Sequence, residues 1–480
     1  MAFGISSWGA YVPRRRLERR AIADAHAWMA PSLKGLAKGR RAYCNWDEDA
    51  VTMAVEAARN CLTGRPRETI DKFCVASTTS PFADLQASGI AAVALRLPAT
   101  CEIADVGASQ RAGVGALAQG LAASRGDALI VASDRPRARP AGVQEMTYGA
   151  GAAAFQLGSE NVAAELIGYA SEVALFVDHF RAAGEAYDYY WEERWIRDEG
   201  YLKLGVATIR RALQGSGVAA AQVDHFIFAA PLRGAAAAVA KASGIEAERV
   251  ADGLDEDCGY SGAAHPLLML ANVLDNASPG QVIVVAAFGQ GCEALVLRTT
   301  DAIAAGRPRT SVAALISAGA TDAAYLRMAS FYEEIAPDFG MRAERDAKTA
   351  LTEQYRSAEQ VYGFVAGCCG SCGTVQFPQL AYCVSCQAPA KGFAAVDLAD
   401  EDARVLTFTA DSLAYHPAPP FYLGFAQFDV GARLLMEFVD VDPDHFDVGT
   451  PLRMCFRIKE RDAQRGYDRY FWKAAPILED

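Results

Sequence analysis

Four cysteines carry the plainest chemistry in this chain: Cys369-x-x-Cys372 and Cys383-x-x-Cys386, within CGSCGTVQFPQLAYCVSC. Each C-x-x-C pair brings two thiolates to one face of a tight turn, and two such turns close a tetrahedral Zn²⁺ site. Four thiolates leave no open coordination position, so the pattern predicts a structural zinc ribbon rather than a catalytic metal. A redox C-x-x-C would be one pair beside a βαβ unit, and four unrelated buried cysteines would not show this paired spacing. Cys368 adjoins the first knuckle as a bystander.

The elements around these residues are legible from apolar patterning. Up to about residue 330, short apolar strands such as FCVAST (73–78), CEIADVG (101–107), ALIVAS (128–133), AAAFQLG (152–158), HFIFAAP (225–231) and QVIVVAAFG (281–289) alternate with Ala-rich helical stretches. That alternation predicts sheets covered on both faces by helices. A charged, helix-like connector follows, then the ribbon. After it, RVLTFTADSL, FYLGFAQFDV, ARLLMEFVDV and PLRMCFRIKER alternate apolar and polar residues between turns, which predicts a small antiparallel barrel of OB type.

Composition narrows the function classes. A chain of 480 residues, 52% hydrophobic, can bury more than one core. Its net charge of −12 argues against a general nucleic-acid or anionic-membrane binder. No apolar run approaches the roughly 20 residues that span a bilayer, and the N-terminal stretch lacks the basic-then-apolar order of a signal peptide. Twelve cysteines, four in a metal pattern, fit a reducing cytoplasm.

The blocks GISSWGAYVPRRRL, WDEDAVTMAVEAA, YGAGAAAFQLGSEN, YSGAAHPLLMLANVLD and SPGQVIVVAAFGQG resemble, in order, those of the archaeal-type hydroxymethylglutaryl-CoA synthases. The resemblance covers residues 1–330. It implies an α/β chain with a thiolase-like five-layer α/β/α/β/α domain of two similar halves, residues 1–165 and 166–335. A helical connector would occupy 336–363, the zinc ribbon 364–396 and the OB-fold 397–480. The last part resembles the ribbon–OB domain found beside or fused to thiolase-like enzymes, where it bridges a thiolase and a synthase subunit. A homodimer through the thiolase-like domain is implied as well.

The family's catalytic positions are substituted. The nucleophilic cysteine of the D-x-x-x-A-C-x-A-G-like block aligns with Gln110 in DVGASQRAG, next to Ser109. A glutamine amide forms no stable thioester, although it can mimic an acylated cysteine; in loading decarboxylases of ketosynthase type a glutamine here accompanies decarboxylation. The histidine of the F-H-x-P motif falls on Ala229, the asparagine of G-N-x-Y-S-G on Cys258, and the acidic general base near Thr78 or Thr79, with Asp84 out of register. Cys258 is the best substitute nucleophile, against a plain reading as a small buried thiol. His265 is either a catalytic partner or a satisfied helix-start residue, His225 a structural one, and Cys101 a core residue.

Gly289 and Gly291 in FGQG resemble the loop whose backbone approaches the acyl group, and glycine permits such an approach. In AYDYYWEERWIRDEGY (186–201), Arg194 and Arg197 are placed either to meet CoA phosphates, for which guanidinium is suited, or on an exposed helix. The resulting expectation is an acyl-CoA-handling component of a thiolase-type C–C bond forming or cleaving system, acting with a separate thiolase subunit. The ligands would be a coenzyme A thioester and structural zinc. The alternatives are an intrinsically active Claisen-type condensing enzyme or Gln-dependent decarboxylase, and, from another class, an OB-fold nucleic-acid binder. Neither nucleic acid nor membrane is an expected partner.

Overall fold

The computed structural model describes residues 3–123, 126–345 and 347–477. Two compact units make up the chain. The first comprises the chain up to Asn45, Asp49–Gly89 and Leu97–Ile335; the second comprises Trp46–Glu48, Ile90–Arg96 and the chain from Ala336 on.

The first unit is built on strands β1 (Gly4–Tyr11), β2 (Ile70–Ala76), β3 (Glu102–Val106), β4 (Asp127–Asp134), β5 (Gly151–Gly158) and β6 (Ala164–Val173). A short ribbon follows, β7 (His179–Phe180) and β8 (Tyr189–Tyr190), and then β9 (His225–Ala229), β10 (Val282–Phe288) and β11 (Gly291–Thr299). Apart from the ribbon these form one nine-stranded sheet in the order β9-β10-β11-β6-β1-β5-β4-β2-β3. The two halves repeat one plan. β2 pairs parallel with β3 and β4, while β4, β5 and β1 run antiparallel. β9 pairs parallel with β10, while β10, β11 and β6 run antiparallel. The second half's counterpart of β3 is reduced to one parallel bridge between Phe226 and Val250.

The helices are α1 (Ala50–Cys61), α2 (Ala112–Ala123), α3 (Val206–Ser216), α4 (Ala235–Ser243) and α5 (His265–Asn276). α2 and α5 pack against strands of both halves, α1 against the outer face of the first and α3 and α4 on the second. That gives the α/β/α/β/α layering. The pleat sorts side chains accordingly: in β10, Ile283, Val285 and Ala287 enter the inner core while Val284, Ala286 and Phe288 enter the outer one. α2 is apolar and buried over Ala112–Ala118 and Leu121, and its small residues admit close neighbours: a Cβ on Gly113 would meet the Ala263 carbonyl at 2.4 Å. α1 starts from a capping box between Asp49 and Thr52. β3 departs from the expectation of covered strands. It is an edge, with Glu102, Ala104 and Asp105 exposed, and Cys101 just before it is only half-buried rather than core.

In the second unit the expected helix over 336–363 is broken into Met341–Ala343, Leu351–Arg356 and Ala358–Val361, because its charged sequence carries no apolar stripe to bury. The ribbon strands β12 (Val365–Cys369), β13 (Val375–Gln376) and β14 (Phe393–Asp397) pair in the order β13-β12-β14. Then come β15 (Ala403–Asp411), β16 (Phe421–Phe428), β17 (Arg433–Glu437), β18 (Pro451–Asp462) and β19 (Tyr467–Pro476), ordered β17-β16-β15-β18-β19. A parallel bridge between Phe438 and Ala474 joins the two ends, the closure of an OB-type barrel. Phe364 stacks on Trp472 with centroids 5.8 Å apart, so ribbon and barrel share aromatic packing. Among the described residues, no helix is long and apolar enough to cross a membrane.

Candidate functional site

Gln110 lies between β3 and the start of α2, 5% exposed. The elbow that presents it contains Ala108 at φ 63, a left-handed conformation that a residue with a Cβ adopts only under constraint. Ser109 Oγ donates to the Gly289 carbonyl at 3.2 Å. A Cβ at Gly289 would sit 2.6 Å from that Oγ and 3.3 Å from the Gln110 backbone nitrogen. At Gly291, φ is +117 and a Cβ would meet the Glu172 carbonyl at 2.1 Å. Glycine at 289 therefore lets the β10–β11 turn reach the Gln110 elbow, and glycine at 291 lets it pass against β6.

Three tyrosines surround the amide. Tyr260 donates to Gln110 Oε1 at 2.7 Å, and Gln110 Nε2 donates to the Tyr190 hydroxyl at 3.1 Å. Tyr148 donates to Asp188 Oδ2 at 2.9 Å, and its ring centroid lies 6.3 Å from that of Tyr190. Tyr148 thus gives its proton to Asp188, and Tyr190 accepts from Gln110. Arg181 pairs with Asp188 at 2.7 Å and also donates to the Thr78 carbonyl. Burial, reinforced by neighbouring phenols and carboxylates, holds Tyr148 and Tyr260 well above the ordinary phenol range, so both remain donors. Backbone bonds zip these loops together: Gly149 N–H to the Tyr260 carbonyl at 2.9 Å and Tyr260 N–H to the Thr147 carbonyl at 2.8 Å. A Cβ at Gly149 would strike the Cys258 carbonyl at 2.1 Å, which accounts for the YGAG sequence.

A histidine completes the cluster. His179 pairs across the short ribbon with Tyr190 and stacks on its ring, centroids 5.2 Å apart and planes at 26°. Its Nδ1 lies 2.9 Å from Asp178 Oδ2.

The other singled-out residues are placed as follows. Cys258 is fully buried, its thiol 3.9 Å from the Ala150 carbonyl, and burial pushes its pKa up to about 11. Thr78 and Thr79 join Ser77 and Ala263 in giving Asp134 six hydrogen bonds. Burial drives that carboxyl upward and the six donors hold it back. His265 is neutral and satisfied: Nε2 donates to the Gly253 carbonyl at 2.9 Å, Nδ1 faces Ser261, and burial lowers its pKa to about 4. His225 contacts Gln281 at 3.3 Å. Arg194 and Arg197 are exposed beside Asp198, at 3.8 and 2.9 Å. Asp84 is exposed.

Sequence reasoning passed over Asp178 and His179. Tyr148, Asp188, Tyr190 and Tyr260 stood in quoted blocks, but no spacing marked them as neighbours of Gln110. Asp178 and His179 are adjacent residues in an irregular stretch, with no periodicity or motif to flag them.

In the second unit the four cysteine sulfurs lie within 4.8 Å of one another, with Cys369–Cys386 and Cys372–Cys383 both at 3.6 Å. A tetrahedron of thiolates about 2.3 Å from Zn²⁺ has edges of about 3.8 Å. The donor set fits that ion.

The rubredoxin-like zinc ribbon domain of ChsH2 matches residues 356–391, and the C-terminal domain of 3-oxoacyl-[acyl-carrier-protein] synthase III matches 213–299. A hydroxymethylglutaryl-CoA synthase of Aeropyrum pernix is 34% identical over 323 residues, 64% of this chain and 87% of that protein. This chain belongs to the hydroxymethylglutaryl-CoA synthase family. The hydroxymethylglutaryl-CoA synthase fold accounts for the solved structures it resembles. The synthase of the curacin biosynthetic pathway has a TM-score of 0.60 at 18% identity, covering 69% of this chain and 88% of the other. A hydroxymethylglutaryl-CoA synthase complexed with CoA has 0.60 at 17%, covering 73% and 95%.

Proposed function

We propose that this chain handles acyl-CoA as one component of a thiolase-type system that forms or cleaves C–C bonds, acting with a separate thiolase subunit. The observation that carries this reading is Gln110: both ends of its amide are hydrogen-bonded to tyrosines, at the position where the family resemblance puts an acyl-accepting cysteine. A carboxamide in that place leaves room for a thioester but supplies no nucleophile. Gln110 and Cys258 are then substituted members of the acyl site, and Gly289 and Gly291 shape its floor. Arg194 and Arg197 offer guanidinium groups to the CoA phosphates, and the ribbon cysteines hold structural zinc. The relative solved with CoA supports the choice of ligand. The exposed edge of β3 offers unpaired backbone groups of the kind that pair with a second copy, which supports a homodimer.

Affinity purification of the tagged chain from its own cells, followed by native mass spectrometry, tests the reading. A stoichiometric thiolase subunit is the expected companion. A homodimer alone, active on an acyl-CoA by itself, overturns the partner requirement. A second reading, in which this chain performs its own enolate chemistry such as decarboxylation, is favoured by the Asp178–His179 pair beside Tyr190.

A further inference from the structure

We infer that Asp178 and His179 form an acid–base pair that works on the α carbon of an acyl thioester bound at Gln110; this rests on the acyl-CoA reading above. The geometry is that of an imidazole with a set tautomer. Asp178 is 3% exposed, and its Oδ2 lies 2.9 Å from His179 Nδ1. The carboxylate keeps the proton on Nδ1, which leaves the Nε2 lone pair as the base. Asp178 Oδ1 has no hydrogen-bond partner among the described residues, so its charge is not spent on a second donor, and in a buried setting the bond to Nδ1–H is strengthened.

The pair is tied to Gln110 through one side chain. The His179 ring lies on Tyr190, and Tyr190 accepts from Gln110 Nε2. Gln110 has two N–H groups and Tyr190 takes one. The other is a neutral donor for a thioester oxygen. Tyr260 and Tyr148 give their protons to Gln110 and Asp188, and with Nδ1 engaged by Asp178 the imidazole offers Nε2 as the nitrogen base of this cluster.

The step needs no further reactant. His179 Nε2 takes a proton from the α carbon, and the C–H electron pair becomes the enolate, with its charge on the thioester oxygen facing Gln110. The C–S bond stays intact. Return of the proton from Nε2–H restores the thioester. In D2O the imidazole proton exchanges with solvent, and deuterium enters the α position.

The test uses the full chain with any subunit that co-purifies, and acetyl-CoA as the probe. Deuterium uptake is read by mass spectrometry, and binding of acetyl-CoA and CoA by calorimetry. The wild type is expected to exchange faster than buffer. His179→Phe keeps an aromatic ring on Tyr190 but removes the base; exchange should fall about 100-fold or more while acetyl-CoA affinity holds. In His179→Ala, added imidazole should restore exchange, which a merely structural histidine would not permit. Binding without wild-type exchange, undiminished exchange in His179→Phe, or a folded His179→Ala that imidazole does not rescue each overturns the role of the pair and leaves the acyl-CoA reading standing. If neither acetyl-CoA nor CoA binds, the acyl-CoA reading falls and this inference falls with it.

Discussion

Tyr260 gives its hydroxyl proton to Gln110 Oε1 across 2.7 Å, and a second tyrosine fixes the other end of the same amide. Gln110 Nε2 donates to the Tyr190 hydroxyl at 3.1 Å, and Tyr148 nearby gives its proton to Asp188. Only Oε1 is left for Tyr260. The amide is thereby held in one orientation, with an N–H rather than a carbonyl available to a ligand.

Tyr260→Phe removes the donor and leaves a buried amide oxygen unsatisfied. The cost should be about 1–3 kcal/mol in denaturant unfolding of the whole chain. Acetyl-CoA affinity should change as well, because the amide is then free to turn. An unchanged midpoint would mean that water replaces the phenol.

Cys258 should be chemically silent. With its pKa near 11, the thiolate fraction at pH 8 is about one in a thousand, and the side chain is fully buried. Peptide mass spectrometry after brief iodoacetamide treatment of the native protein should find Cys258 unmodified, and incubation with acetyl-CoA should leave no acetyl adduct on it. An acetylated Cys258 peptide would restore it as a nucleophile.

Metal analysis should give about one Zn²⁺ per chain. The double variant Cys369→Ser with Cys372→Ser should lose it, and the second unit should melt earlier. Chelation of the wild type should reproduce that loss, because binding free energy at a structural site is folding free energy. A metal-free protein indifferent to chelator would contradict the ribbon's role.

Lys473 is a buried cation, 2.9 Å from Asp47 and 2.8 Å from Glu437, with its ammonium 4.3 Å from the Trp46 ring centroid. Burial would raise the Glu437 pKa, but Lys473 and His416 pull it down to about 2. A carboxyl depressed in the folded state stabilises above its unfolded pKa of roughly 4.3 and loses that stabilisation as pH falls toward 2. Acid titration followed by tryptophan fluorescence should show the second unit weakening across that interval. Lys473→Met strands the carboxylates and should cost about 3–5 kcal/mol at neutral pH.

The sequence by itself was sufficient for the layered fold, because burial on both faces demands apolar strands such as Val282–Phe288 and a central helix as apolar as Ala112–Ala118. It was sufficient for the ribbon, because metal coordination imposes short-range spacing on Cys369, Cys372, Cys383 and Cys386. The proposal that Gln110 stands at the family's nucleophile position likewise came from neighbouring residues in one block. What only the tertiary structure decided was the company Gln110 keeps. Tyr148, the short ribbon carrying Asp178, His179, Asp188 and Tyr190, and Tyr260 lie in three separate stretches, and hydrogen bonds between side chains distant in sequence leave no periodicity to read. The connector at 336–363 and the edge strand β3 belong to the same class: whether a charged stretch or a half-polar strand finds a covering partner depends on what packs against it, and that is settled only once the whole chain has folded.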